Sequence, residues 1–83
     1  MFIGIERKSL TKDTVTYIYY PRKDKSIQPG EITINIHTLE ILQSEKSGEE
    51  GEGFDWYYIH AISRIRSNTK NKLFPETDFV AWG

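Results

Sequence analysis

The stretch "ITINIHTLEI", residues 32 to 41, constrains the fold most, because its apolar side chains recur at every second position. Ile32, Ile34 and Ile36 alternate with Thr33 and Asn35, and Leu39 and Ile41 flank Glu40. A period of two sends successive side chains to opposite faces of a strand, so the segment reads as two antiparallel strands with one apolar and one polar side. Pairing Ile36 with Leu39, Ile34 with Ile41 and Ile32 with Gln43 puts every apolar partner on one side of the hairpin. A two-residue turn at His37 and Thr38 needs positive φ from residues that resist it, so a four-residue loop in the same register is expected.

A second pair of strands precedes it. "FIGIERK" and "TVTYIYY" flank "SLTKD", and pairing Lys8 with Thr14 sets Ile3 opposite Tyr19 and Ile5 opposite Tyr17. The other side of this hairpin then gathers Phe2, Ile18 and Tyr20, an apolar and aromatic set where a wet face would be polar. Composition agrees with a sheet: eleven isoleucines stand against four leucines, with five tyrosines, and these suit a pleated, half-buried surface. "PRKDKSIQPG" reads as a loop, and "SEKSGEEGEG", from Ser44 to Gly53, as a flexible acidic loop.

The segment "GFDWYYIHAISRIRS", residues 53 to 67, reads as one helix over about residues 55 to 67. Asp55 stands where an N-cap carboxylate would meet the free N–H groups, and Phe54 and Ile59 have the spacing of a hydrophobic staple. Advancing 100° per residue gathers Tyr58, Ile59, Ala61, Ile62 and Ile65 into one apolar stripe that can pack on a sheet. Trp56, His60, Ser63 and Arg64 share the outer side. Beyond a polar exit, "LFPETDFVAWG" offers a closing strand from Asp78 to Trp82 and the apolar cover within reach of Trp56.

The expected fold is therefore α+β: an antiparallel sheet of four or five strands with one helix on the face carrying Ile3, Ile5, Tyr17, Ile34 and Ile41. At 83 residues it is one domain, burying only about 60 to 65% of the surface of its unfolded chain.

Charge and composition narrow the functions. The formal net charge is -1, laid out as +3 over residues 1 to 25, -6 over 26 to 55 and +2 over 56 to 83, so no broad positive field exists for non-specific nucleic-acid binding. The absence of cysteine excludes disulfides, thiolate metal sites and cysteine nucleophiles. No signal-like run and no stretch near the roughly 20 apolar residues of a membrane span occurs, and the expected location is cytoplasmic.

Candidate chemistry is sparse. His60 lacks any recognised spacing to a nucleophile or acid, with Ser63 and Asp55 the nearest candidates in sequence. His37, in a hairpin turn, suits a surface role. The two histidines with Glu49, Glu50 or Glu52 do not form a metal-ligand pattern, and "GEEGEG" would repel phosphate rather than cradle it. No catalytic residue, metal or cofactor is expected. "TYIYYPRKDK" has the composition of a single-stranded nucleic-acid platform, with Tyr17, Tyr19 or Tyr20 stacking and Arg22, Lys23 and Lys25 on phosphates. The leading expectation is a non-enzymatic domain that binds a protein partner, or a second copy of itself, through Phe2, Ile18, Tyr20 and Arg22. The outer cluster Trp56, His60 and Arg64 is a second surface candidate.

Overall fold

In a computed structural model, which describes residues 1 to 50 and 55 to 83, the elements are β1 (Phe2–Leu10), β2 (Thr14–Pro21), β3 (Gly30–Asn35), β4 (Ile41–Glu45), α1 (Trp56–Lys70) and β5 (Thr77–Ala81). The strands form one antiparallel sheet in the order β4-β3-β2-β1-β5, and α1 packs on one face of it. The fold is α+β, with five strands. Alternation dictates which face is covered: Ile3, Ile5, Val15, Tyr17, Tyr19, Ile32, Ile34 and Val80 are buried beneath the helix, and Ile41 packs at their margin.

Register departs from expectation in both hairpins. Ile3 lies opposite Pro21, Ile5 opposite Tyr19 and Arg7 opposite Tyr17. The cause is local: β1 continues to Leu10, Lys8 is an extra residue in a bulge, and the turn closes on the Thr11 hydroxyl, which accepts from the Asp13 and Thr14 N–H groups. Up to the bulge the shift is two residues, so every side chain keeps its face. In the second hairpin Ile34 does pair with Ile41, but Leu42 is extra, and Ile32 meets Ser44 instead of Gln43. The connection spans residues 36 to 40, one longer than expected. Asn35 Oδ1 accepts from the His37 and Thr38 N–H groups, and Leu39 takes the positive φ, 65°.

The helix starts where expected and ends later. Asp55 is the N-cap, yet its carboxylate makes no cap bond; Oδ2 lies 2.6 Å from Lys46 Nζ. Glu50 substitutes, its Oε1 accepting from the Tyr58 N–H at 3.1 Å. The buried stripe is Tyr57, Ala61, Ile65 and Thr69, with Tyr58 and Ile62 packed beside it and Ile59 exposed. The helix is thus rotated toward Tyr57 from the expected phase. Ala61, fully buried, has the least side chain to hold the two layers apart. Thr69 is tolerated inside because its hydroxyl donates to the Ile65 carbonyl at 2.7 Å. The end is a Schellman motif: Leu73 N–H donates to Asn68 O, Lys72 N–H to Thr69 O, and Lys72 takes φ 58°. The staple of Phe54 on Ile59 lies outside the described residues.

Strand β5 pairs antiparallel with β1, Val80 opposite Ile3 and Phe79 opposite Gly4. The segment leading to it is pinned by Arg7 Nη1 donating to Phe74 O and by the Tyr17 hydroxyl donating to Pro75 O. No helix of the described residues is long and apolar enough to cross a membrane.

Candidate functional site

The helix covers one face of the sheet, and the described residues leave the other open. Cross-strand pairing arranges that open face in rows. Phe2 lies opposite Ala81; Phe79, Gly4 and Tyr20 form the next row; Thr77, Glu6, Ile18, Glu31 and Glu45 form the third. Phe2 and Phe79 rings meet at 5.7 Å, and Phe79 is 45% exposed. Gly4 presents no side chain, so a hollow of about 650 Å³ opens over it, walled by Tyr20, Phe79, Glu6, Lys23 and Lys25.

The cations reach this face through a turn. Arg22 and Lys23 have φ 54° and 56°, and Asp24 N–H donates to Pro21 O at 3.0 Å, the pattern of a type I′ turn built without glycine or asparagine. Positive φ at a residue with a Cβ costs about 1–2 kcal/mol. The turn sends its two cations to opposite sides of the sheet. Lys23 lies across Gly4, its Cγ 2.8 Å from where a Cβ would stand, with Nζ 4.9 Å from the centre of the Phe79 ring. Lys25 follows with Nζ 2.9 Å from Glu6 Oε2 and 5.4 Å from the Tyr20 ring centre. Lys8 neutralises Glu31 at 2.7 Å. Ile18 therefore sits between two carboxylates, each paired to a lysine.

Arg22 goes to the helix side. Its guanidinium grips Glu49 through both oxygens, at 2.7 and 2.8 Å, and donates to the Tyr57 hydroxyl at 3.3 Å. The pair holds the Glu49 carboxyl below the usual carboxylate range, chiefly through its hydrogen bond to Arg22. Of the four residues expected to form a partner surface, the structure brings Phe2, Ile18 and Tyr20 to one face and directs Arg22 elsewhere.

The described part of the acidic segment, residues 44 to 50, is tied into the fold. Ser44 and Glu45 belong to β4, and Ser47 is buried. Glu50 Oε2 accepts from the Tyr19 hydroxyl at 2.8 Å and from Ser47 Oγ, while that same tyrosine oxygen accepts from the Ser47 N–H at 3.0 Å. Burial pushes the Tyr19 phenol well above its ordinary pKa. Glycine spacing hid this network, because a solvated linker and a carboxylate bound by distant groups look alike in sequence.

Trp56 and Arg64 are exposed on α1, and His60 is half-buried. The closing segment lies over His60: the Trp82 indole stacks on its ring at 3.8 Å and 11°, and meets Tyr57 edge-on at 6.0 Å. Trp56 is 6.4 Å from His60 and 40% exposed, and Arg64 Nη1 is 3.6 Å from Asp78 Oδ2. His37 is at the surface, 3.1 Å from Asp13 Oδ1. Among the described residues no three His, Asp or Glu side chains group as metal ligands, and Glu52 lies outside those residues.

Two members of the open face were missed in sequence. An isolated glycine in a strand signals close approach of another group, which is the role of Gly4 beneath Lys23. Phe79 joins Phe2 only once β5 is known to pair with β1. Comparison of the chain with protein-family models, curated proteins and solved structures returned no match.

Proposed function

We propose that the protein is a non-enzymatic binding module whose open sheet face receives a protein partner. The hollow over Gly4 carries this reading: two aromatic walls on the open sheet face, with a lysine stem lying across its floor. An apolar side chain from a partner can take the place of the Lys23 stem between Phe79 and Tyr20. Small central anchors of this kind dominate protein interfaces, ringed by polar groups that exclude water. Glu6 with Lys25 and Glu31 with Lys8 supply such a ring.

The nucleic-acid alternative loses support from the same geometry. Tyr17 and Tyr19 are buried and cannot stack on bases, and Arg22 is occupied by Glu49. His60 is stacked on Trp82, and Asp55 is held by Lys46.

The test is crosslinking and affinity capture from the native cell with the wild type, Gly4→Val and Phe79→Asp. A partner held by the wild type and lost by both folded variants supports the open face. Equal capture by all three overturns it. Light scattering of the wild type and Ile18→Asp separates a foreign partner, with both monomeric, from self-association, with only the wild type dimeric.

A further inference from the structure

On the far side of the molecule from the open face, a groove of about 610 Å³ runs between α1 and the β3–β4 connection, floored by Ile59 and Ile62 and walled by Leu39. Its helical wall grades in character, because Ile59, Ile62, Arg66 and Lys70 follow one another at intervals of three or four residues and lie along one side of the helix. The apolar half is open to solvent: Ile59 is 50% exposed. A smaller hollow of about 300 Å³ shares Leu39 and Lys70 and adds Lys72, extending the basic end past the helix terminus.

Charge pairing across the rest of the molecule makes this end unusual. Among the described residues, six of the eleven Lys and Arg sit in ion pairs: Arg7, Lys8, Arg22, Lys25, Lys46 and Arg64. Lys23 lies over Phe79, and Lys12 is at a hairpin tip. The remaining three, Arg66, Lys70 and Lys72, border the groove and its extension and make no ion pair among the described residues. The carboxylate of Asp13, on the neighbouring hairpin, is already taken by His37. The helix dipole accounts for a cation in the last turn, Lys70, but its influence fades within that turn and gives no reason for exposed Ile59.

We infer that this groove binds an acidic peptide segment of a partner protein, an apolar side chain seated on Ile59, Ile62 and Leu39 and carboxylates on Arg66, Lys70 and Lys72. The size fits. From Ile59 to Lys70 the helix rises roughly 16 Å, the span of about five extended residues. Three cations on a chain of net charge -1 fall short of the polybasic cluster that holds an anionic membrane, and of the long basic stripe that follows a nucleic-acid backbone. The site is separate from the open face, so the module would carry two independent contacts.

The test titrates the isotope-labelled protein with a panel of short peptides combining glutamate with leucine or phenylalanine, each matched by a lysine-for-glutamate counterpart. Vesicles of phosphatidylserine and a single-stranded oligonucleotide serve as competing probes. Amide shifts should concentrate at Leu39, Ile59, Ile62, Arg66, Lys70 and Lys72, leave Gly4, Ile18 and Phe79 unmoved, and weaken with salt. Charge reversal at the exposed pair, Arg66→Glu with Lys70→Glu, should lower affinity about tenfold or more. Ile59→Ser tests the apolar half without reversing charge. The inference is overturned if no acidic peptide binds more tightly than its basic counterpart, if shifts fall on the open face, or if vesicles or oligonucleotide bind in preference.

Discussion

Two glycines, on the strands either side of β2, do opposite jobs. Gly30 lies across from Tyr19, and a Cβ there would fall 1.9 Å from ring carbon Cε1. The missing side chain lets the tyrosine ring cross β3 and reach Ser47 and Glu50. Gly30→Ala must therefore displace a fully buried ring together with its hydrogen bonds, and should cost about 1–3 kcal/mol or more by overpacking. At Gly4 the three nearest atoms the added Cβ would meet all belong to the Lys23 side chain, Cγ first at 2.8 Å, and a turn about χ1 of Lys23 would clear it. Gly4→Val should keep stability within about 1 kcal/mol, since a branched residue suits a strand while a weak cation–π contact is lost. Thermal melts of the two variants check the contrast; equal destabilisation would mean that the floor over Gly4 is as tightly packed as the core.

At the scale of elements, α1 separates stability from display. Ile65, 2% exposed, points into the sheet, whereas Ile59 lies in the open groove. Ile65→Ala should cost about 2–5 kcal/mol through lost burial and a residual cavity. Ile59→Ala should change stability by roughly 0.5 kcal/mol or less, as surface substitutions do. Denaturant titration of both checks that the helix turns Ile65 to the sheet and Ile59 to solvent. The helix end gives a gain rather than a loss: Lys72 holds φ 58° where the Schellman motif favours glycine, so Lys72→Gly should stabilise by about 0.5–1 kcal/mol. A lower melting temperature for that variant would contradict the motif's role. The free edge of β5 is guarded in place, because the Phe79 N–H donates to its neighbour's carboxylate, Asp78 Oδ1, which Asn68 and Arg64 steady from the helix.

Across the whole molecule, pH reads out the tie between the β2–β3 loop and the acidic segment. The folded pKa of Glu49 lies below its unfolded value of 4.5, and that of Asp24, hydrogen-bonded by Ser26, lies below 3.8. For a depressed carboxyl the stabilisation is present above the unfolded pKa and lost as pH falls through the folded one. The melting temperature should thus decline below about pH 4.5, modestly because these pairs are solvated. Arg22→Gln should flatten the part due to Glu49; a curve parallel to the wild type would assign the acid transition elsewhere. At the alkaline end, Tyr17 and Tyr19 are raised above 10.0, mainly by burial, so their contribution holds below that value and fades as pH climbs past it.

Faces were legible in the sequence, and positions along them were not. Period-two alternation is local, so Ile3, Ile5, Tyr17, Ile34 and Ile41 were placed on the covered side, and Phe2, Ile18 and Tyr20 on the open one, without knowledge of register. The helix and its N-cap position were equally local, set by Asp55 and the spacing of Ala61 and Ile65. Register and phase depended on more distant partners. The bulges at Lys8 and Leu42 slid the strands, and fit against the sheet turned the helix toward Tyr57 and carried it to Lys70 through polar residues whose own hydrogen bonds permit burial. Both candidate surfaces are tertiary products, because Gly4, Lys23 and Phe79, like Leu39, Ile59 and Lys70, are far apart along the chain. Their meeting is decided by strand order and loop length, which local propensity does not encode.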